Sequence, residues 1–310
     1  VSVWLLTDAA MDAHQAPDHP ERPERRGAAA TGVRAAAGDR LVEPACEVAT
    51  NDHITAVHGN EYLAMLVDAD DRGGGWLDPD TYLVAGSLLA ARLAAGATLQ
   101  AARAVSAGDA EVAFAVVRPP GHHASRARGS GFCLLNNVAI AVAGLRASGA
   151  AQRVAIVDWD VHHGDGTQAI FGADPDVCYT STHQFPFYPG TGARAERGVG
   201  STHNRPLAAG SGDEEFVEAW LSELLPAIEA FDPAAIVVSA GYDAHRADPL
   251  AQLDVTEVGY ATVARELGAL SRRLGLAGVA LTLEGGYDLE ALQASTEATV
   301  AGILAGREVC

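Results

Sequence analysis

Six short runs of aliphatic and β-branched residues predict strands at 1–7, 111–117, 154–158, 177–181, 235–239 and 279–283. They are apolar almost without interruption, the pattern of strands covered on both faces. Between them, apolar residues recur at helical spacing. This predicts long helices at 81–107, 137–148, 214–229, 256–274 and 289–304, and short ones at 53–58, 61–67 and 166–171. Asp52 and Asp213 stand where N-caps belong. The segment 8–26 is polar and broken by prolines, so regular structure waits for a helix starting near Glu24. Gly73-Gly74-Gly75 makes a turn ahead of Asp78-Pro79-Asp80. Strands alternating with helices mean an α/β protein, a parallel sheet covered by helices on both faces. No repeat or linker divides the chain, so one domain is expected over 1–310.

The polar residues follow the strands. After Val117 comes Arg118-Pro119-Pro120-Gly121-His122-His123, and after Val157 comes Asp158-Trp159-Asp160-Val161-His162-His163-Gly164-Asp165. After Ser181 come His183 and Tyr188-Pro189-Gly190; after Val238, Gly241-Tyr242-Asp243; after Leu283, Glu284-Gly285-Gly286-Tyr287. Open parallel sheets bind ligands outside the carboxyl ends of their strands. Five such loops on one rim therefore predict the site. In the second of them, strand alternation sets Asp158, Asp160 and His162 on one side.

Composition narrows the partners. The 310 residues carry a formal charge of −19, and all 21 basic residues are Arg. Nucleic acid should be repelled and cationic substrates attracted, although a compositional bias of the source explains the charge equally well. Four cysteines, at 46, 133, 178 and 310, form no CxxC pair, which suits free thiols in a reducing cytoplasm. No apolar run is long enough to span a bilayer, and the opening stretch is too short for a signal peptide. A membrane partner is not expected.

Asp160, His162 and Asp243 form a three-ligand set of one imidazole and two carboxylates. It leaves a coordination position open, as catalytic metals require. Zn²⁺ suits the set, and Fe²⁺ or Co²⁺ is also accommodated. His122 and His123 read as an acid–base pair, with two alternatives open: a polar loop, or two further ligands. Asp158 and Asp165, left over from the metal count, are available to orient one histidine each. Tyr287 reads either as a donor to a developing oxyanion or as a core phenol. Gly131-Phe132 and Tyr188 place aromatic side chains on rim loops, as tunnel walls or as core.

Together these motifs, from His19-Pro20-Glu21-Arg22-Pro23 nearly to the C-terminus, resemble the zinc-dependent histone deacetylase and acetylpolyamine amidohydrolase family, in its class II and bacterial flavour. The resemblance implies the arginase–deacetylase fold, with eight parallel strands. It implies zinc on Asp160, His162 and Asp243, and the pairs His122–Asp158 and His123–Asp165. His123 would be the principal base and acid, and His122 mainly electrostatic. Tyr287 would polarise the acyl carbonyl, and zinc-activated water would attack it. Gly131, Phe132, Tyr188 and, at the mouth, Leu250 would form the acyl-lysine tunnel. Arg25 would lie near an internal acetate channel. Structural K⁺ is implied around Asp158, Asp160, His162, Ser181 and Thr182, and near Phe171 and Val177. His163 has no catalytic role in this scheme and is expected to be structural.

Substrates would be acyl-lysine in peptide or protein, or a small acetylated amine. A polyamine-selective member can carry Glu where this chain has Leu250. Gly241 stands where a two-metal ureohydrolase would have the first aspartate of an Asp-x-Asp pair, leaving Asp243 alone. A non-catalytic acyl-lysine binder would be expected to have lost a ligand, a dyad member or the tyrosine, and none is missing. The sequence leaves the oligomeric state open, with 8–26 available to the tunnel rim or to a subunit contact.

Overall fold

The computed structural model describes residues 2–308; Val1, at the start of the predicted first strand, and Cys310 lie outside the described residues. Ten strands are formed among the described residues: β1 (Val3–Leu6), β2 (Leu41–Val42), β3 (Gly74–Trp76), β4 (Tyr82–Val84), β5 (Val112–Ala115), β6 (Val154–Asp158), β7 (Val177–Gln184), β8 (Thr202–Leu207), β9 (Ala235–Ala240) and β10 (Val279–Leu283). Eight of them make one sheet in the order β2-β1-β5-β10-β9-β6-β7-β8, and every pairing in it is parallel. β3 and β4 form a separate antiparallel hairpin.

The uninterrupted apolar runs have a direct cause. Successive side chains of a strand enter opposite faces, and both faces are dry. Val154 and Ile156 enter one core with the helices Ser87–Ala107 and Asn137–Ala147. Ala155 and Val157 enter the other, with Glu24–Ala37, Glu257–Arg273 and Leu289–Glu308. Ladder pairing of β6 stops at Asp158, but the alternation persists. Trp159 and Val161 are buried in the second core, which leaves Asp158, Asp160 and His162 to the other side.

Several boundaries differ from the sequence reading. The predicted helix 81–107 is split: Tyr82–Val84 pairs with β3, and the helix begins at Ser87 behind Gly86, whose φ is +92°. Helical periodicity cannot detect a three-residue strand whose partner lies across a turn. The helix near 53 is capped by Thr50, whose hydroxyl accepts from His53 N–H, and not by Asp52. Asp213 is likewise not a cap but the first helical residue, and its carboxylate accepts from the Thr256 amide and hydroxyl. The predicted helix 214–229 runs from Asp213 to Phe231 with a π-helical segment over Trp220–Leu224. β7 extends to Gln184, where β8 pairs with it. The sequence THNRPL of β8 lacks the apolar pattern of a strand because it borders the sheet.

Candidate active site

The five polar loops meet beyond the carboxyl ends of β5, β6, β7, β9 and β10. They enclose a cavity of about 240 Å³ lined by Asp80, Pro120, His122, His123, Gly131, Phe132, Asp160, His162, Tyr188, Leu250, Gly285 and Tyr287. Every side chain the sequence assigned to the tunnel borders it.

At the floor, one donor atom each from Asp160, His162 and Asp243 lie within 4.8 Å of one another. Backbone amides aim them. Gly285 N–H donates to Asp160 Oδ2 at 2.8 Å, His162 N–H to Asp160 Oδ1 at 2.8 Å, and Val161 N–H to Asp243 Oδ1 at 2.9 Å. His162 Nδ1 faces both carboxylates, at 3.1 Å from Asp160 Oδ1 and 3.2 Å from Asp243 Oδ2. The second approach misses hydrogen-bond geometry, so Asp243 Oδ2 is buried without a partner. Burial alone would lower the His162 pKa, yet the two carboxylates raise it to about 10. The cluster therefore attracts positive charge, and its nitrogen–oxygen donors fit a divalent metal. Gly241 is required here. A Cβ there would lie 2.0 Å from Asp160 Oδ2, so the floor has no room for a second aspartate at that position.

The adjacent histidines stand on one wall. His122 Nδ1 is 3.1 Å from Asp158 Oδ2, and His123 Nδ1 is 2.7 Å from Asp165 Oδ1. Tyr179 O–H also donates to Asp158 Oδ2 at 2.9 Å. The two imidazoles differ electrically. Burial lowers both, but Asp158 and Asp160 overcome it at His122, whose pKa is raised. At His123 burial, reinforced by the charge of His122, lowers the pKa to about 4. Proton binding is thus favoured at His122 and disfavoured at His123.

Tyr287 faces them from the β10 loop, and burial raises its pKa well above the usual phenol value. Phe132 meets it edge-on at 5.9 Å, and Tyr188 meets His123 edge-on at 5.1 Å. Phe132 is held at φ +68°, next to Gly131 at +55°. A Cβ on Gly131 would lie 2.4 Å from His123 Cδ2, so a larger residue would displace the histidine. The 8–26 segment borders the tunnel: His19 packs edge-on against Phe132 at 4.6 Å, and its Nε2 lies 3.2 Å from the Asp80 carbonyl. Arg25 is fully buried behind Tyr287. His163 is buried and satisfied by Thr191 and Gln168, outside the cavity.

The motif pattern assigns no role to Asp80, Asp248, Glu284 or Phe187. Asp80 reaches the mouth. Asp248 Oδ2 accepts from Tyr287 N–H at 2.7 Å. Phe187 stacks on His162 with ring centroids 5.5 Å apart. Glu284 had a signal: an acid ending an apolar strand just before Gly-Gly. For the others no residue pattern existed, since their partners come from distant loops.

A carboxylate–imidazole triad, a paired-histidine wall and an opposed phenol at the carboxyl edge of an eight-stranded parallel sheet point to the arginase–deacetylase fold class. Comparison with known proteins agrees. A family model described as the histone deacetylase domain matches residues 19–303. A probable deacetylase of Archaeoglobus fulgidus is 40% identical over 94% of this chain and 83% of its own. The human polyamine deacetylase HDAC10 is 37% identical over 92% of this chain and 44% of its own. The crystal structure of the HDA15 HD domain superposes with a TM-score of 0.91 at 38% identity, covering 98% of this chain and 89% of that one. The chain belongs to the histone deacetylase family.

Proposed function

We propose that the protein, acting as one catalytic domain over 1–310, is a zinc-dependent deacetylase that removes acyl groups from the amine of acyl-lysine or of a similar small amine. The observation that carries this reading is the cluster of three donor atoms within 4.8 Å, two of them on buried carboxylates, beneath a cavity bordered by Tyr287 and the histidine pair. Asp160, His162 and Asp243 would hold the metal; Zn²⁺ suits them, with Fe²⁺ or Co²⁺ as substitutes. When bound, such an ion polarises an acyl carbonyl and makes water a nucleophile near neutral pH.

The side chains do the rest. Phe132 and Tyr188 enclose the acyl-lysine stem and keep water out. Tyr287 O–H donates to the carbonyl oxygen as negative charge develops on it. His123, neutral and fixed through Nδ1 by Asp165, takes the proton of the attacking water at Nε2 and delivers it to the leaving amine. His122, fixed by Asp158, remains cationic and stabilises the anionic transition state. Acetate and a free amine result.

Structural K⁺ around Asp158, Asp160, His162, Ser181 and Thr182 and near Phe171 and Val177 belongs to the same reading. So does a reducing, cytoplasmic setting, supported by the unpaired Cys46, Cys133 and Cys178. No helix among the described residues is long and apolar enough to cross a membrane.

Leu250, apolar and beside Asp80 in the lining, leaves the second cation of a polyamine one carboxylate rather than two, which favours acyl-lysine. The test compares kcat/KM on an acetyl-lysine peptide, longer acyl-lysine peptides and acetylated polyamines. Faster turnover of acetyl-lysine supports the reading. A polyamine preference would reverse the substrate assignment, and no hydrolysis of any of them would remove the activity.

A further inference from the structure

Glu284 directly follows β10 and opens the loop that carries Tyr287, and it is fully buried. Its side chain points to the opposite wall. Oε2 accepts from Gly121 N–H at 2.6 Å and from His122 N–H at 3.1 Å, and Oε1 accepts from the Ser239 hydroxyl at 3.0 Å. Its backbone reaches the phenol side. Glu284 carbonyl accepts from Arg25 Nη2, Arg25 Nε donates to Gly286 carbonyl at 2.5 Å, and the guanidinium lies over the Tyr287 ring. One residue thus joins β10, the end of β9 and the histidine loop after β5.

We propose that Glu284 is a positioning residue that sets the separation between the histidine pair and Tyr287. The deacetylase assignment above is its premise. The amides of Gly121 and His122 point into a dry interior, where an unpaired N–H is costly, so the carboxylate fixes the loop that bears the imidazoles. His122 then meets Asp158, and His123 meets Asp165, only if that loop stays in place. The same carboxylate is immobilised by Ser239, so the loop is referenced to the sheet rather than to the surface. Glutamine is the conservative replacement: its carbonyl oxygen accepts both amides, and its amide donates to Ser239 Oγ.

The experiment measures steady-state kinetics on an acetyl-lysine peptide together with amide hydrogen exchange over residues 118–124, for wild type, Glu284→Ala, Glu284→Gln and Ser239→Ala. Glu284→Ala should lower kcat about 100-fold with KM within about threefold, since a misplaced catalytic group costs rate and not binding. Exchange over 118–124 should accelerate while the other strands stay protected, and Glu284→Gln should restore most of both. If kcat and exchange are unchanged in Glu284→Ala, the inference is overturned. If Glu284→Ala fails to fold, Ser239→Ala decides. A loss in kcat with local acceleration of exchange supports the positioning role, and neither effect overturns it. If wild type hydrolyses nothing, the deacetylase reading fails, and exchange over 118–124 alone tells whether Glu284 holds the loop.

Discussion

Arg25 lies across the face of Tyr287, its guanidinium carbon 4.8 Å from the ring centroid. A desolvated cation over a phenol strengthens the O–H as a donor and immobilises the ring. Tyr287→Phe keeps the ring, its contact with Phe132 and the cation above it, and removes only the donor. Turnover should fall about 10²–10³-fold, the cost of losing one oxyanion donor, with metal content and melting temperature unchanged. Unaltered turnover would remove Tyr287 from the oxyanion role.

Glu21 bridges Arg25 at 2.9 Å and Arg118 at 2.6 Å, with all three side chains fully buried. Burial alone would raise the Glu21 carboxyl, but Arg118 and Arg25 overcome it and hold the pKa at about 2. A carboxyl depressed in the folded state contributes stability above its unfolded pKa, and that contribution is lost as pH falls towards the folded value. Glu21→Gln leaves two buried guanidiniums uncompensated and should cost about 3–5 kcal/mol at pH 7. Denaturant titrations from pH 7 to pH 2 should show the deficit shrinking below about pH 4, where the unfolded carboxyl takes up a proton while the folded one keeps its charge down to about 2. A deficit that stays constant would contradict the assignment.

Removal of metal with a chelator should abolish hydrolysis, and Zn²⁺ should restore it, with Co²⁺ and Fe²⁺ as comparisons. Melting temperature should rise on metal addition, because ligand bound only to the folded state stabilises it. Asp243→Ala should abolish both responses. Activity that survives complete metal removal would sink the mechanism.

The two histidines should separate in mutants of their carboxylates. Asp165→Asn releases His123 and should lower kcat about 10²–10⁴-fold, as when a general base loses its orienter. Asp158→Asn should also lower the His122 pKa, because the carboxylate that raises it is neutralised. In wild type, kcat/KM should fall as pH drops through about 4, where His123 gains a proton. Equal pH profiles for wild type and both variants would argue against His123 as the base.

Leu250 lines the tunnel at a mouth that already contains Asp80. Leu250→Glu places a second carboxylate there. It should shift kcat/KM towards acetylated polyamines by about tenfold or more, the scale of one favourable charge contact. No shift would dismiss Leu250 as the selecting residue.

What was readable in the sequence follows from what residue type can encode. Strands buried on both faces announce themselves as apolar runs, so the central strands were legible; the two-residue β2 and the polar β8 were not, because the neighbouring strand defines them. Asp160, His162 and Asp243 were legible because carboxylates and imidazoles after strands have few other uses. Asp248 and Asp80 were not, because their part depends on which distant backbone amide or rim they meet; Glu284 carried a signal, an acid between an apolar run and Gly-Gly, but its partners did not. His19 stood in a quoted motif, but nothing in its neighbours foretold contact with Phe132.

β10, the last strand in chain order, occupies the middle of the sheet between β5 and β9. Until it enters, β5 and β9 each present an unpaired edge, and Asp160 lacks the Gly285 amide that fixes it. Assembly therefore cannot proceed strand by strand from the amino end. It requires a late insertion that closes contacts between residues more than a hundred positions apart, a topology that folds slowly. The open intermediate would expose two adhesive edges to neighbouring chains, so recovery from denaturant should depend steeply on protein concentration.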